Sequence, residues 1–403
     1  MTVDLRTRSD GPVALVDAST FFGTDLPAAI DAHAAQILPG VAFIDPRPAT
    51  FAVADAEWTM AYEDGRVRVQ PGGAERAAHV RITQEQLTDL VHDQATFMGM
   101  WAANTIEQSR GTVGHLLNWW LVWRAALDGT PIYTPGAIDL DGIDVTRSFH
   151  PDDDPAEMRA FLETAGFLHL ESVFAAEEMA DVAADMDRAA PTYREGDGRS
   201  WWARTADGET RVVRLQGFDK ESVATHGILA DPRFLNLAEI PDAGHEFGRK
   251  RANNRIEALF KPIGVSEGIS DIPWHKDCGL GRHSYDCCGM TVGISVTGAD
   301  ATSGQLRVLA GSHRALIWSG VLQPNLDLPD VPLPTKTGDV TIHLSCTMHM
   351  AQPPTERERR VMYSGFGLPA RTDDTSAITE ARTRLGAVRE SAPLTVLDRH
   401  FKS

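Results

Sequence analysis

Apolar and polar positions in this chain follow two different periods, and the balance between them changes near residue 254. Before that point helical and strand-like patterns are interleaved. Apolar residues over 28–37 recur at helical spacing. Phe51-Ala52-Val53 and Trp58-Thr59-Met60-Ala61-Tyr62 read as strands, Glu63-Asp64-Gly65 as a turn, and Val67-Arg68-Val69 as the returning strand of a hairpin with an Asp-Gly tip. His79-Val80-Arg81-Ile82 is a further strand. Thr83, followed by Glu85 and Gln86, predicts a capped helix that carries Leu87, Leu90 and Val91 on one face. A second helix is predicted over 112–127, with Trp119, Trp120 and Trp123 on it. Those aromatics fit either a filled core or the wall of an apolar ligand cavity.

Residues 130–152 are rich in Pro, Gly and Asp and lack periodicity, which predicts a linker. Asp154 then caps a helix opened by Pro155, a strand follows at 166–170, and another helix over 176–190 is acidic outside and Ala/Met/Val inside. The stretch 191–253, with Trp201, Trp202, Arg204, Arg211 and Arg214, reads equally as loops over an active site or as a surface insertion. From residue 254 the pattern is all-β, with strand-like runs at 256–260, 290–296, 305–309, 340–344 and 361–366. Short strands between Gly and Pro turns argue for a double-sheet jelly roll. The expected fold class is therefore α+β: an α+β unit over residues 1–140, and a jelly roll with flanking helices over 141–403.

Within the all-β part, His275 and Asp277 stand two apart, and residues i and i+2 of a strand share a face. His349 supplies a third donor from another strand. Two imidazoles and one carboxylate with positions left open form the facial arrangement of non-haem Fe(II) oxygenases. Arg360, eleven residues after His349, offers a fork for a carboxylate. The other histidines read as structural: His313 behind a Gly-Ser turn, His343 as a hydrogen-bonded core residue, His283 in a loop. Cys278, Cys287 and Cys288 lack the second spaced pair that a zinc site needs.

Composition narrows the partners. A net charge of −18 without any basic run argues against nucleic acid and anionic membranes, and leaves a small molecule as the expected partner. Four cysteines are too few for a disulfide framework and suit a cytoplasmic protein. The chain opens without an apolar signal segment, and its longest apolar stretch, near 116–127, is interrupted by Asn118 and Arg124 and is too short to span a bilayer. An apolar fraction of 42% supports a sizeable core.

Two resemblances follow. Trp58, Gly65-Arg66-Val67 and Val80-Arg81-Ile82-Thr83 followed by a polar helix look like the sterol-carrier-protein-2-like fold, which implies an apolar tunnel within residues 25–130. The ordered set His275-x-Asp277, Gly304-Gln305-Leu306 to Gly311-Ser312-His313, Gly338-Asp339-Val340, His349 and Arg360 resembles the phytanoyl-CoA dioxygenase family over residues 140–370. That resemblance implies Fe(II) held by His275, Asp277 and His349, with 2-oxoglutarate as cosubstrate and O2 as oxidant. It gives the distal carboxylate of 2-oxoglutarate to Arg360 and places Lys261 and Thr291 in the cosubstrate pocket. Ala351 departs from the hydroxyl residue that the family often has two after its distal His. Because Asp277 retains the carboxylate that halogenating relatives lose, the implied reaction is hydroxylation or desaturation, with release of succinate and CO2. Two other classes stay open: a lipid or acyl carrier with an inactive oxygenase part, and a metal-dependent dioxygenase that uses no oxo acid.

Overall fold

The computed structural model describes residues 14–368, except 94, 103, 248–254, 269, 279–288 and 318–325. His283, Cys287 and Cys288 lie outside the described residues.

The first half is built on one mixed sheet. Its strands are β1 (Ala49–Val53), β2 (Ala56–Glu63), β3 (Arg66–Pro71), β4 (Ala78–Ile82) and β5 (Glu107–Arg110), in the order β3-β2-β1-β4-β5. The β1–β4 pair is parallel and the rest are antiparallel. The Asp-Gly tip works as expected: Asp64 and Gly65 both have positive φ, 51° and 73°, the backbone of a two-residue hairpin turn. The predicted cap forms too. Thr83 Oγ1 accepts from Gln86 N, and Thr83 N donates to Gln86 Oε1. The helix expected over 28–37 is instead two, Leu26–Ala32 and Ala34–Ile44, broken at His33, whose ring Nδ1 donates to Ala126 O at 2.6 Å.

Helix Val113–Asp128 is buried among these elements. Trp119, Trp120 and Trp123 are all 1% exposed or less. The Trp123 ring touches Phe21, Phe22, Phe51 and Phe97, with centroids 4.9–5.6 Å away. Its Nε1 faces Met60 Sδ, and Trp119 Nε1 donates to Arg47 O. Among the described residues, the Trp120 and Trp123 rings pack against one another and their Phe neighbours.

The second half adds β6 (Phe167–Leu170), β7 (Ser200–Thr205), β8 (Thr210–Gln216), β9 (Glu246–Phe247), β10 (Ile256–Lys261), β11 (Val265–Glu267), β12 (Gly289–Ser295), β13 (Leu306–Leu309), β14 (Asp330–Leu333), β15 (Val340–Leu344), β16 (His349–Ala351) and β17 (Arg359–Gly367). A large sheet runs β11-β7-β8-β10-β17-β12-β15-β6, and a small one runs β14-β13-β16. Side chains of both line one small cavity: Gly293, Ser295, Thr341, Arg359, Val361 and Tyr363 from the large sheet, Leu306 and Leu333 from the small one. The other face of the large sheet packs on helices Pro155–Ala165 and Ala176–Ala189 through residues such as Val292, Ile342 and Met362.

Residues 191–247 carry more regular structure than the sequence suggests. Their centre is the β7–β8 hairpin, which pairs with β10 and extends the large sheet. Arg214 stacks on Trp201 at 3.9 Å, and its guanidinium meets Glu257 at 3.1 Å. The 130–152 segment is irregular, as expected, but it is not slack. Ile132 bridges to Leu316, and Tyr133 joins an apolar cluster with Met348 and Trp274, the neighbours of His349 and His275. Among the described residues, no helix is long and apolar enough to cross a membrane.

Candidate metal centre

His275 and His349 meet because their backbones pair. Each N–H donates to the other's carbonyl at 2.9 Å, an isolated antiparallel bridge at the end of β16. Alternation along 275–277 sends Lys276 the other way, where its buried Nζ donates to Ser312 O and leaves His275 and Asp277 on one side. The ligand atoms of His275, Asp277 and His349 all lie within 4.8 Å of one another.

Both imidazoles are oriented by the backbone. His275 Nδ1 lies 2.6 Å from Pro273 O, and His349 Nδ1 lies 2.9 Å from Thr347 O. A carbonyl only accepts, so each Nδ1 carries the proton and each Nε2 presents a lone pair. Those lone pairs converge on Asp277 Oδ1, 3.5 Å from His275 and 3.6 Å from His349. Burial alone would raise the Asp277 carboxyl. The neighbouring His349, followed by the His275 and His343 rings, outweighs it and holds the group well below the usual carboxylate range. Burial, followed by the charges of His343 and His275, pushes the His349 imidazole well below its ordinary value against the pull of Asp277. Asp277 and His349 are thus held in the protonation states that ligate a divalent cation. The donor set, His₂ plus one carboxylate, suits iron.

The other expected site residues are distributed differently. Thr291 Oγ1 donates to Asp277 Oδ2 at 2.8 Å, so Thr291 belongs to the carboxylate. Arg360 is not in the cavity. It lies on the opposite face of β17, where its guanidinium pairs with Asp187 at 2.7 and 2.9 Å and donates to Ala183 O. The reason is strand alternation: the inward set on β17 is Arg359, Val361 and Tyr363, which excludes residue 360. Arg359 is 4% exposed, and its Nε and Nη2 have no hydrogen-bond partner among the described residues. Lys261 is cross-strand to Arg359, buried, and bonded to Ser270 O and Asp271. Burial lowers its ammonium to about 8, with Asp271 opposing and Arg359 adding to the shift. His343 was expected to be a hydrogen-bonded core residue. It is buried, but its ring sits 4.1 Å from that of His349, and neither nitrogen has a well-formed hydrogen bond.

Two glycines shape the site. A Cβ on Gly293 would meet the Tyr363 ring at 2.7 Å and Thr341 Oγ1 at 2.8 Å, so glycine keeps the cavity open in mid-strand. Gly338 has φ 87°, and a Cβ there would meet Phe174 O at 1.9 Å. The adjoining Asp339 carboxylate accepts from Ser172 N and Lys336 N and faces His169. The Gly-Asp pair therefore anchors β15 against the chain that follows β6. His313 is structural as expected, its Nε2 donating to Glu163 O at the end of helix Pro155–Ala165.

Residues 162–361 match the phytanoyl-CoA dioxygenase (PhyH) family. The span takes in every strand that builds the centre, from β6 to β16, and reaches into β17. The family match and the His-Asp-His cluster are together consistent with Fe(II), 2-oxoglutarate and O2 as metal, cosubstrate and oxidant. No curated protein matches the sequence. Among solved structures the chain is similar to the epimerase SnoN in complex with Fe3+, alpha ketoglutarate and nogalamycin RO, at 19% identity over 56% of this chain and 90% of that one, TM-score 0.43. It is also similar to EctD from S. alaskensis with 2-oxoglutarate and 5-hydroxyectoine, at 18% identity over 59% and 82%, TM-score 0.44. A third is the carbocyclase SnoK from nogalamycin biosynthesis, at 16% identity over 57% and 92%, TM-score 0.41.

Proposed function

We propose that the chain is an Fe(II)- and 2-oxoglutarate-dependent dioxygenase of the cytoplasm that hydroxylates or desaturates a small organic substrate, hydrophobic or carrier-linked. The observation that carries the reading is the convergence of His275, Asp277 and His349 beside a cavity whose buried Arg359 lacks partners on two guanidinium nitrogens. An unpaired buried cation is costly, and a dicarboxylate reaching into the cavity would satisfy it with a bidentate pair. In this reading residues 1–140 and 141–403 are separate domains, the second a jelly roll.

Iron bound with 2-oxoglutarate supplies the oxidising chemistry, with oxidative decarboxylation to succinate and CO2. The chain's own residues do the rest. His275 and His349 present Nε2 because Pro273 and Thr347 carbonyls hold their Nδ1 protons. Asp277 presents Oδ1 and keeps the carboxylate position filled, which favours oxygenation over halogenation. Arg359 takes the far carboxylate, and Gly293 leaves the room for it. Ala351 offers no hydroxyl, so that cosubstrate contact is absent here.

The test is anaerobic binding of Fe(II) and 2-oxoglutarate, followed by succinate release on adding O2, with and without candidate substrates. His275→Ala and His349→Ala should each lose metal binding by 100-fold or more, on the order of what a removed ligand costs beyond the 10- to 100-fold of an outer partner. Stoichiometric iron and full succinate release in either variant would sink the proposal. Wild-type turnover without any oxo acid would favour the oxo-acid-free dioxygenase. Tight acyl-probe binding without iron would favour the carrier.

A further inference from the structure

The two oxygens of Asp277 have different surroundings. Oδ1 faces the Nε2 atoms of His275 and His349. Oδ2 accepts from Thr291 Oγ1 at 2.8 Å and faces His343 Nε2 at 3.4 Å. Thr291 and His343 are cross-strand partners in β12 and β15, so both side chains rise from one face of the sheet under the carboxylate. His343 is 1% exposed, and neither of its nitrogens has a well-formed hydrogen bond. A buried imidazole in this state needs a task.

Two tasks are open to it. As a fourth ligand it would leave two of six positions, which a chelating oxo acid fills, and O2 would have none. The geometry argues otherwise. The donors within 4.8 Å of one another are His275, Asp277 and His349, while His343 addresses the oxygen of Asp277 turned away from the other two imidazoles. We propose that His343 and Thr291 form a two-donor clamp on Asp277 Oδ2 that holds the carboxylate to a single-oxygen contact through Oδ1 and so keeps a metal position open. His343 is thus a positioning residue. The inference rests on the metal-centre reading and adds a reason for a histidine at this place in β15, where the sequence suggested only core.

The full-length protein is titrated anaerobically with Co(II), whose visible spectrum reports coordination number, in wild type, His343→Gln, His343→Phe, Thr291→Ser and Thr291→Val. The clamp predicts near wild-type affinity and spectrum for His343→Gln and Thr291→Ser, which keep a donor. It predicts roughly tenfold weaker binding for His343→Phe and Thr291→Val, with a spectrum changed as Oδ2 also reaches the metal. Thr291→Val is nearly isosteric and keeps the test alive should a His343 variant misfold, which circular dichroism would reveal. Wild-type affinity and spectrum in both His343→Phe and Thr291→Val would overturn the clamp. Equal loss in His343→Gln and His343→Phe, with Thr291→Val unaffected, would overturn it in favour of a fourth ligand. Adding 2-oxoglutarate to the wild-type Co(II) protein separates the two readings. No spectral response would defeat the oxo-acid reading and leave the clamp result standing, whereas no Co(II) binding at all would defeat both.

Discussion

Arg124 and Arg359 are both buried, one in each half of the molecule, and they are held in opposite ways. Arg124 is fully engaged. Its guanidinium reaches Asp128 at 2.7 and 3.0 Å, donates to Leu90 O at 2.9 Å, and lies 3.7 Å from Asp93. Arg359 is no more exposed in any useful sense, yet Nε and Nη2 have no hydrogen-bond partner among the described residues. The first half treats its buried cation as structure, closed by acceptors on its own helix and the neighbouring one. The second half leaves its cation open at the end of a cavity. The same contrast runs through the aromatic and imidazole groups. The Trp120 and Trp123 rings are packed on Phe and Trp neighbours, whereas His275, His349 and His343 crowd around one carboxylate. Burial alone therefore does not separate core from site; the fate of the buried polar atoms does.

Arg124→Met should produce the largest effect on the fold. It removes the guanidinium that faces Asp93 and Asp128, both nearly without solvent, and breaking a buried pair in this way costs about 3–5 kcal/mol. Denaturant unfolding followed through the emission of the adjoining Trp residues reads it directly. A loss under ~1 kcal/mol would mean that Arg124 is as loosely held as a surface pair, and the contrast with Arg359 would collapse. Acyl probes added to the wild-type protein should leave that Trp emission unchanged if the packed Trp120 and Trp123 rings are core, and quenching would support the tunnel expectation.

Arg359→Ala should do the reverse: little harm to stability, a large loss of cosubstrate. A charge-assisted fork is worth on the order of 1.5–3 kcal/mol, so the 2-oxoglutarate requirement should rise roughly 10- to 100-fold. Arg360→Ala, which breaks the partly exposed pair with Asp187 and the bond to Ala183 O, should leave that requirement within about twofold and cost ~1 kcal/mol. If the two variants exchange these outcomes, the cosubstrate lies on the other face of β17 and the cavity has been misassigned.

The choice between Arg359 and Arg360 also marks where the sequence stops being readable. The His-x-Asp spacing encodes a shared face, and the structure brings those side chains together with His349. The hairpin tip at Asp64-Gly65 and the cap at Thr83 are legible for the same reason, since each is a local rule set by a few adjacent residues. The facing of β17 is not local. Both of its faces are buried, Val361 and Met362 alike, so alternation of apolar and polar residues gives no sign of which arginine turns inward. A one-residue slip in register exchanges them. His343 was missed through the same ambiguity: a histidine inside an apolar run looks like core until Thr291, some fifty residues earlier, is seen beside it. The β7–β8 hairpin was missed because its Trp and Arg residues pair across strands, where a strand signal from apolar alternation is weakest.

The smallest expected effect concerns Lys261, which stands between the two kinds of buried cation, being both paired and cross-strand to Arg359. Its ammonium, lowered by burial to about 8 from an ordinary 10.5, loses its proton as pH rises from 7 to 9. If its charge assists Arg359 in drawing the dicarboxylate, the dissociation constant of 2-oxoglutarate should rise about threefold over that range, well within ~1.4 kcal/mol. Stability should move the other way. Between about 8 and 10.5 the unfolded chain binds more protons at this residue than the folded one, so the contribution of Lys261 to folding becomes more favourable with rising pH across that window. Weaker binding in a protein that is locally more stable cannot be ascribed to unfolding. Calorimetric binding at pH 7, 8 and 9 in wild type and Lys261→Met decides the matter: the variant should bind more weakly at pH 7 and show a flat profile. A flat profile in wild type as well would confine Lys261 to its pair with Asp271 and leave Arg359 as the cavity's sole working cation.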